Sequence, residues 1–302
     1  MNNRLTTGTV VLLLVPPAMW AGNAVVGRAV VGMVPPLTLN FLRWAMALLL
    51  LLPVGWRMLR PGSGLWSAWR RYAILGLLGV GLYNSLQYLA LHTSTAVNVT
   101  LVAASMPVWM LLVGRLFYSA GIDVMQVAGA ILSLAGVAVV LSQGDWAHLL
   151  ALRFVAGDLL MVLATILWAF YSWQLVRIAA NAKSRMPWAD FLFAQVLYGV
   201  GWSGLLVAAE WQVGEPAIAW GWPLALTVLF VAVGPSVVAY RCWGVGVQRV
   251  GPTIAGFFFN LTPLFAAVLS QGVLHESPHL YHALAFALIL GGIVLSSRSA
   301  PA

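Results

Sequence analysis

Apolar stretches long enough to cross a lipid bilayer follow one another along nearly the whole chain, with only short interruptions. A span needs about 20 apolar residues, because the hydrocarbon layer is about 30 Å thick and a helix rises about 1.5 Å per residue. In lipid the backbone must be satisfied within each segment, so each stretch is predicted to be a helix. With 62% of residues hydrophobic and 7% charged, a soluble enzyme carrying one anchor is excluded.

The sequence therefore predicts an all-α integral membrane protein of ten transmembrane helices, which we number spans 1 to 10. Breakers such as Pro35–Pro36, Gly121 and Gly251–Pro252 stand between the apolar runs, as expected where one helix ends and another begins. The predicted ranges are 9–31, 36–54, 72–91, 95–117, 124–142, 155–176, 188–209, 222–243, 252–274 and 279–297.

The basic residues predict how the spans are oriented. Twelve of the fifteen Lys and Arg residues fall on the side that holds both termini, two fall on the other side, and Arg43 lies inside span 2. Lys and Arg are in excess on the cytoplasmic side of membrane proteins. We therefore expect a multi-pass protein of the bacterial inner membrane with both termini in the cytoplasm. The scatter of these residues also argues against a nucleic-acid-binding surface.

Metal, redox and catalytic chemistry have little support in the sequence. The single cysteine, Cys242, permits neither an intrachain disulfide nor a cysteine-based zinc site. The spans contain no His–Glu metal pair, no paired aspartates and no Ser–His arrangement. We expect no cofactor, no metal and no enzymatic activity.

The second half of the sequence repeats the pattern of the first. A shift of 156 residues places Pro107 on Pro263 and the segment 134–137 on 290–293. Span 4 thus resembles span 9, and span 5 resembles span 10.

A looser match, at a shift of 148, places Trp20 of span 1 on Trp168 of span 6. The interpretation is two repeats of five spans, residues 1–148 and 153–302, within one membrane domain. Because five is odd, the second repeat enters the membrane from the opposite side. In transporters built from such inverted repeats, the substrate binds near the midplane, between the repeats.

Several short motifs are shared with a known family. They are the Trp20 region, Phe41–Leu42–Arg43, Ala90–Leu91 with Thr95–Ala96, Met106–Pro107, Gly157–Asp158, Trp168–Ala169 and Leu261–Thr262–Pro263. Their order resembles the drug/metabolite transporter superfamily in its EamA-type branch, and more narrowly bacterial exporters of amino acids, including aromatic ones. The resemblance implies a central cavity lined chiefly by spans 1, 3, 4, 6, 8 and 9, which opens alternately to each side. The acidic residue that this family often has after span 4 is replaced by Arg115–Leu116–Phe117–Tyr118, whereas Glu276 follows span 9.

Span 3 carries the richest polar stripe of the chain. Tyr83, Asn84, Gln87 and Tyr88 form two overlapping pairs four residues apart on one helix face. Polar side chains avoid lipid, so this face is expected to point into the bundle. It either binds substrate ammonium and carboxylate groups without a fixed charge, or makes hydrogen bonds between helices.

Spans 4 and 9 carry prolines at equivalent positions, and we predict hinges at Pro107 and Pro263. The candidate substrate-binding residues beside them are Asn98, Ser105 and Trp109 in span 4, and Phe257 and Asn260, with Thr262, in span 9. The alternative is that the two prolines bend the helices only for packing.

Tryptophans in the middle of spans are not interfacial anchors and need another explanation. Further candidates for substrate binding are Trp20 and Asn23 in span 1, Trp168, Tyr171 and Ser172 in span 6, and Tyr240 and Trp243 in span 8. The rings either wall an apolar pocket, where they can also face a cation, or pack between helices.

Arg43 is the one fixed charge well inside a predicted span, and no Asp or Glu lies mid-span. An intramembrane charge is a functional candidate by default. Snorkelling toward the surface or bonding to helix-end carbonyls explains Arg43 as well, and we favour this structural interpretation. The sequence accordingly predicts a neutral pocket.

These features favour a secondary transporter that moves small metabolites across the cytoplasmic membrane by alternating access, with export of amino acids as the leading hypothesis. Its partners would be a small-molecule substrate and membrane lipids. Alternatives of the same fold are transport of drug-like cations, nucleotide-sugars or lipid-linked sugars. A channel is disfavoured because Trp and Phe interrupt the polar stripes.

Overall fold

Helices make up most of the chain in a computed structural model that describes residues 5–94, 96–180, 186–213, 217–274 and 280–298. Spans 1, 2, 5, 6, 7 and 10 are the helices Thr7–Ala29, Pro36–Gly55, Val124–Ser142, Ala156–Ala180, Trp188–Val213 and Leu280–Ser297. Span 3 comprises Trp69–Leu75, Gly76–Leu82 and Tyr83–Thr93, and span 4 comprises Ala96–Ala103 and Met106–Phe117. Short helices Trp56–Leu59 and Trp146–Leu150 follow spans 2 and 5.

Spans 8 and 9 join without the loop that the sequence predicts around 244–251. The helices Trp222–Val231, Ala232–Val238 and Ala239–Phe259 follow one another, and the chain bends inside the last of them at Gly251, where φ is 83°. Glycine adopts this backbone conformation without a steric penalty, so one residue suffices for the turn. Span 8 thus runs to Val250, beyond its predicted end, and span 9 continues from Pro252 through Thr262–Leu274.

The prediction of ten spans is confirmed once this turn is recognised. By length and composition, the described residues contain nine helices apolar enough to cross a membrane. One of them, Trp222–Phe259, has 38 residues, nearly twice what a bilayer requires, and it contains the turn at Gly251. It therefore supplies span 8 and the first part of span 9.

Helix irregularities recur at the same interval of 156 residues that relates the two halves in sequence. The π-helical segment Gly76–Leu82 of span 3 corresponds to the π-helical segment Ala232–Val238 of span 8. The break after Ala103 in span 4 corresponds to the break after Phe259 in span 9. The two halves therefore share local geometry that their weak sequence similarity only hints at.

The two breaks refine the predicted proline hinges. Each half-helix begins one residue before its proline, at Met106 and Thr262, so Pro107 and Pro263 lie in a first turn. A proline costs no hydrogen bond in a first turn, because the N–H it lacks has no partner within the helix there. Its ring also disfavours a helical carbonyl four residues earlier, and the helix accordingly ends before it rather than bending through it.

Spans 5 and 10 cross closely through small residues. A Cβ at Gly129 would lie 2.7 Å from the carbonyl oxygen of Gly292, and a Cβ at Gly136 would lie 2.9 Å from that of Ala285. The shift of 156 carries Gly129 to position 285 and Gly136 to position 292, so it exchanges these two contacts. Such an exchange is what a two-fold relation between the repeats requires.

We expect Gly292→Ala to destabilise this crossing, since its Cβ would lie 2.6 Å from the Gly129 carbonyl oxygen. Overpacking of this kind costs about 1–3 kcal/mol. The matched control is Gly201→Ala in span 7, where a Cβ meets nothing within 4 Å. Thermal unfolding of the purified proteins in detergent should show a lower Tm for Gly292→Ala alone, and equal Tm values would contradict the packing we describe.

Candidate substrate cavity and buried arginine

The π-helical segments of spans 3 and 8 make backbone carbonyls available to side chains. A π-helical turn replaces the regular i to i−4 hydrogen bonds, and such turns frequently mark functional sites. The Gly79 carbonyl accepts hydrogen bonds from Asn84 Nδ2 at 3.1 Å and from the Tyr240 hydroxyl. At the equivalent position, the Pro235 carbonyl accepts one from Trp20 Nε1 at 3.2 Å. The irregular segments thereby anchor polar and aromatic side chains at the centre of the bundle.

Buried rings from spans 1, 3, 6, 8 and 9 form one aromatic cluster. Its centre is Trp168, whose ring centroid lies 5.2 Å from that of Trp20, 5.7 Å from Trp243 and 5.3 Å from Tyr240. The other members from these spans are Tyr83, Tyr171 and Phe259, and Trp44 of span 2 adjoins the cluster with its ring 4.8 Å from that of Tyr240. Edge-to-face and tilted contacts of this kind each add about 0.5–1.5 kcal/mol to the burial of the rings.

Two tryptophans of the cluster differ in their polar contacts. Trp243 Nε1 donates to Ser172 Oγ at 3.1 Å. The Nε1 of Trp168 is buried and has no hydrogen-bond partner among the described residues. A buried indole N–H is normally paired, so the Trp168 N–H is a donor that no described residue uses.

A small cavity of about 40 Å³ lies against one side of this cluster. Trp20 and Phe259, whose rings are 5.1 Å apart, belong to both the cluster and the cavity wall. The remaining wall residues are Ala24, Gln87, Leu91, Val99, Thr100, Ala103, Ala104, Thr262 and Pro263. The cavity thus lies where spans 1, 3, 4 and 9 meet, beside both helix breaks.

The cluster separates the cavity from the end of the bundle that carries both termini. Span 1 starts at that end, and Ala24 lies one turn beyond Trp20. Span 4 starts at the opposite end, and its wall residues Val99 and Thr100 lie in its first two turns. The cavity therefore occupies the half of the bundle away from the termini.

One water molecule needs about 10–15 Å³, so the cavity holds a few water molecules at most. Pockets that bind small ligands are much larger, usually about 300–1,000 Å³. As described, this cavity is therefore too small to hold an amino acid. The hydroxyl of Thr262 at the cavity is buried and has no hydrogen-bond partner among the described residues.

Arg43 forms a second polar centre, next to the cavity wall. Its side chain is fully buried, and Nε donates to Ser236 Oγ of span 8 at 2.6 Å. Nη1 donates to Asn84 Oδ1 at 2.9 Å, to Tyr88 OH at 3.2 Å and to Asn23 Oδ1 at 3.3 Å. One guanidinium therefore joins span 2 to spans 1, 3 and 8.

This network differs from the snorkelling that we favoured for Arg43 on the sequence. The guanidinium points into the bundle, because the amides and hydroxyls of Asn23, Asn84, Tyr88 and Ser236 offer it four oxygen partners there. All four are neutral. The predicted neutral pocket therefore adjoins a buried positive charge.

Comparison with known proteins identifies the family. The sequence profile of the EamA-like transporter family matches residues 7–142 and 155–298. The chain belongs to the EamA-like transporter family. The two matched segments correspond to the two five-span halves, and the family is one of membrane transporters.

Relatives of this EamA-like protein cover almost its whole length. An uncharacterized transporter of Archaeoglobus fulgidus is 26% identical over 97% of this chain and 98% of its own. The aromatic amino acid exporter YddG of Ancylobacter novellus is 26% identical over 88% of this chain and 89% of its own. The inner membrane protein YtfF of Escherichia coli is 25% identical over 97% and 95%. A solved crystal structure matches 96% of both chains with a TM-score of 0.74 at 22% identity, which supports the fold.

The structure distributes the candidate residues of this EamA-like transporter over four places. The cavity is lined by Trp20, Gln87 and Pro263. The aromatic cluster contains Tyr83, Trp168, Tyr171, Tyr240 and Trp243, and Ser172 accepts a hydrogen bond from it. Arg43 is surrounded by Asn23, Asn84 and Tyr88. Other contacts are made by Asn98, Ser105, Trp109 and Asn260, and Pro107 and Phe257 are buried nearby.

The hydrogen bonds of Asn98, Ser105 and Trp109 explain why these residues lie apart from the cavity wall. Asn98 Nδ2 donates to Asp158 Oδ2 at 2.9 Å, which ties span 4 to the start of span 6. Trp109 Nε1 donates to Ser105 Oγ at 3.0 Å beyond the helix break. Because that break interrupts span 4, the single face that we predicted through these three residues is not continuous.

Sequence reasoning missed the small and aliphatic part of the wall. Ala24, Ala103 and Ala104 line the cavity because they leave space, not because they carry polar groups. The sequence signal that can locate Ala103 and Ala104 is Pro107, because the helix break that exposes them lies about one turn before it. No group of three or more His, Cys, Asp or Glu residues forms a metal site in the described part of the chain.

We expect Arg43→Lys to destabilise the protein. A lysine ammonium cannot reproduce the planar fork that reaches Ser236 on one side and Asn84 on the other. Losing one charge-assisted hydrogen bond costs about 1.5–3 kcal/mol, which thermal unfolding in detergent should show as a lower Tm. The control is Arg298→Lys, at an exposed site at the end of span 10. If both variants unfold at the wild-type temperature, the network does not hold the four spans together.

Proposed function

We propose that this protein exports amino acids across the bacterial cytoplasmic membrane by alternating access, as a secondary transporter with both termini in the cytoplasm. The observation that carries the proposal is the cavity between spans 1, 3, 4 and 9, bounded by two helix breaks that the repeats relate. The exporter YddG, a relative over most of the chain, favours amino acids with aromatic side chains among the possible substrates. The excess of Lys and Arg near the end with the termini supports the orientation.

The chemistry of the cavity suits a small zwitterion with an apolar side chain. Thr262 and Gln87 supply a hydroxyl and an amide, which together can donate to a carboxylate and accept from an ammonium. The rings of Trp20 and Phe259 supply an apolar floor that can also face a cation. The polar groups and the rings line the same cavity, so one amino acid can contact the polar groups with its charged end and the rings with its side chain at the same time.

Alternating access requires the cavity to enlarge and to change the end at which it opens. The breaks after Ala103 and Phe259 are where spans 4 and 9 can bend, because no continuous helical hydrogen bonding resists rotation there. In the described conformation the aromatic cluster closes the end with the termini. Opening to that end would require Trp168 to separate from Trp20 and Trp243.

Transport of drug-like cations is the second candidate, and the aromatic floor of the cavity favours it. Both hypotheses place the substrate in the same cavity. They differ in whether the substrate has a carboxylate that needs hydrogen-bond donors from the protein. A cation carrier does not need the hydroxyl of Thr262, whereas an amino-acid carrier uses it for the carboxylate.

The decisive experiment is uptake and counterflow in proteoliposomes, with a panel of amino acids and a panel of drug-like cations, each with and without a pH gradient. We expect saturable movement of amino acids, strongest for aromatic ones. Movement of cations alone would replace our proposal with the second candidate, and movement of neither class would overturn both.

We expect Thr262→Val and Gln87→Leu each to raise the KM for a transported amino acid about ten-fold or more, because each removes a hydrogen bond to a charged group. The control is Ser142→Ala in span 5, whose hydroxyl donates to Val139 of its own helix, away from the cavity. Unchanged KM values in both cavity variants, with normal expression, would place the substrate elsewhere.

A further inference from the structure

A second cavity lies at the end of the bundle that carries the termini, on the outside of spans 3 and 6. Its volume is about 200 Å³, five times that of the cavity between the repeats. Its lining residues are Arg71, Ile74, Leu75, Gln174, Arg177 and Ile178, which we call the Arg71–Arg177 groove. Nothing in the proposed transport cycle uses it.

The groove forms because spans 3 and 6 diverge. Toward the middle of the bundle they touch, where a Cβ at Gly79 would lie 2.7 Å from the ring of Tyr171. Near the end with the termini, span 3 packs against span 7 instead, where Trp202 Nε1 donates to the Ala73 carbonyl at 3.0 Å. The first turns of span 3 therefore move away from the last turns of span 6.

Two guanidinium groups in this groove lack an acidic partner. Neither Arg71 nor Arg177 forms an ion pair with a carboxylate of the described residues, and no Asp or Glu lines the groove. Gln174, one turn before Arg177 on span 6, adds an amide donor to the lining. Two fork-shaped cations and an amide facing one space match the oxygens of a phosphate group.

The position of the groove matches the headgroup layer of a membrane. Arg71 is the third residue of its helix, and Arg177 is the fourth from the end of its own, so both lie within one turn of the boundary of a span. Deeper in span 3, Ile74 is 47% exposed and presents an aliphatic surface beside Leu75, whereas Ile178 of span 6 lies beside Arg177 at the rim. Along span 3 the charged rim and the apolar wall thus follow the two parts of a phospholipid, in the same order.

We propose that the Arg71–Arg177 groove binds the headgroup of an anionic phospholipid, with an acyl chain along Ile74. Basic pockets between transmembrane helices are a recognised form of such sites. The lipid fills the gap between spans 3 and 6, one of which lines the substrate cavity while the other carries Trp168. The site is independent of the substrate that the protein transports.

The test is lipid binding to the purified full chain in detergent, measured by native mass spectrometry. The probes are phosphatidylglycerol and phosphatidylcholine with identical acyl chains, which differ in headgroup charge. We expect phosphatidylglycerol to bind at least about ten-fold more tightly than phosphatidylcholine. The double variant Arg71→Gln/Arg177→Gln should weaken phosphatidylglycerol binding about 25-fold, on the basis of about five-fold for each basic residue near an anionic headgroup.

The matched control is Arg57→Gln/Arg298→Gln, which removes two exposed arginines from the same end of the bundle but outside the groove. It should change the affinity less than about two-fold. Equal losses in the two double variants would show that surface charge alone attracts the lipid, and would overturn the proposal. Equal binding of the two lipids would overturn it as well.

A third arm separates a lipid site from a site for soluble anions. Inorganic phosphate at millimolar concentration should leave bound phosphatidylglycerol in place, because it lacks the acyl chain that would lie along Ile74. Displacement by phosphate would overturn the assignment to a lipid. The single variants Arg71→Lys and Arg177→Lys keep the charge, and their intermediate losses would show that the fork geometry contributes even if the double variant folds poorly.

Discussion

Inside a bilayer a polar group can be satisfied only by another part of the protein, and this constraint organises the centre of the bundle. The π-helical segments of spans 3 and 8 lack the regular i to i−4 hydrogen bonds at the centre of the bundle. An unpaired backbone carbonyl would be costly there, because no water is present to pair with it. The freed carbonyls of Gly79 and Pro235 then accept Asn84, Tyr240 and Trp20. Irregular backbone and polar side chains therefore depend on each other, and neither would be stable in lipid alone.

The buried guanidinium of Arg43 follows the same constraint with a larger penalty. A charge at the middle of a membrane costs at least about 2.5 kcal/mol, and more on an isolated helix. Four neutral oxygens from spans 1, 3 and 8 reduce this penalty without an acidic partner. Because these oxygens come from both repeats, the hydrogen bonds of Arg43 depend on how the two repeats are positioned relative to each other. Any motion that separates span 8 from span 3 must break its bonds on one side.

Hydropathy and repeat spacing were sufficient to predict the ten spans and their division into two halves, because lipid imposes length and apolarity on every helix. The shift of 156 residues, seen in the sequence through Pro107 and Pro263, also relates the π-helical segments and the helix breaks. The break at Gly251–Pro252 was predictable from these two residues, whereas the continuation of span 8 as a helix to Val250 was not, since the glycines and polar residues of 244–251 are typical of a loop. The inward direction of Arg43 was missed because it depends on partners from three other spans, which no local pattern reveals.

The two-fold relation between the repeats explains why candidate residues meet as they do. Trp20 and Trp168 occupy equivalent positions, and so do Asn84 and Tyr240, and each pair is in contact. Equivalent residues can touch only near the axis that relates the repeats, so this axis passes through the aromatic cluster. Asymmetry enters next to it, since Trp20 faces the cavity while Trp168 is enclosed by other rings.

In the proposed alternating access, each repeat takes up the conformation that the other has now. Replacing each wall residue by its equivalent in the other repeat therefore identifies the wall of the cavity in the opposite state. Trp168 would replace Trp20 beside the cavity, and Trp243 would stand where Gln87 now stands. Met106, the equivalent of Thr262, brings a thioether where the hydroxyl now lies. The same shifts place Ser172 where Ala24 lies and Asn260 where Ala104 lies, so new polar groups accompany the loss of Gln87 and Thr262. The wall of the opposite state would then be more aromatic, and its polar groups would stand at different positions from those of the cavity described.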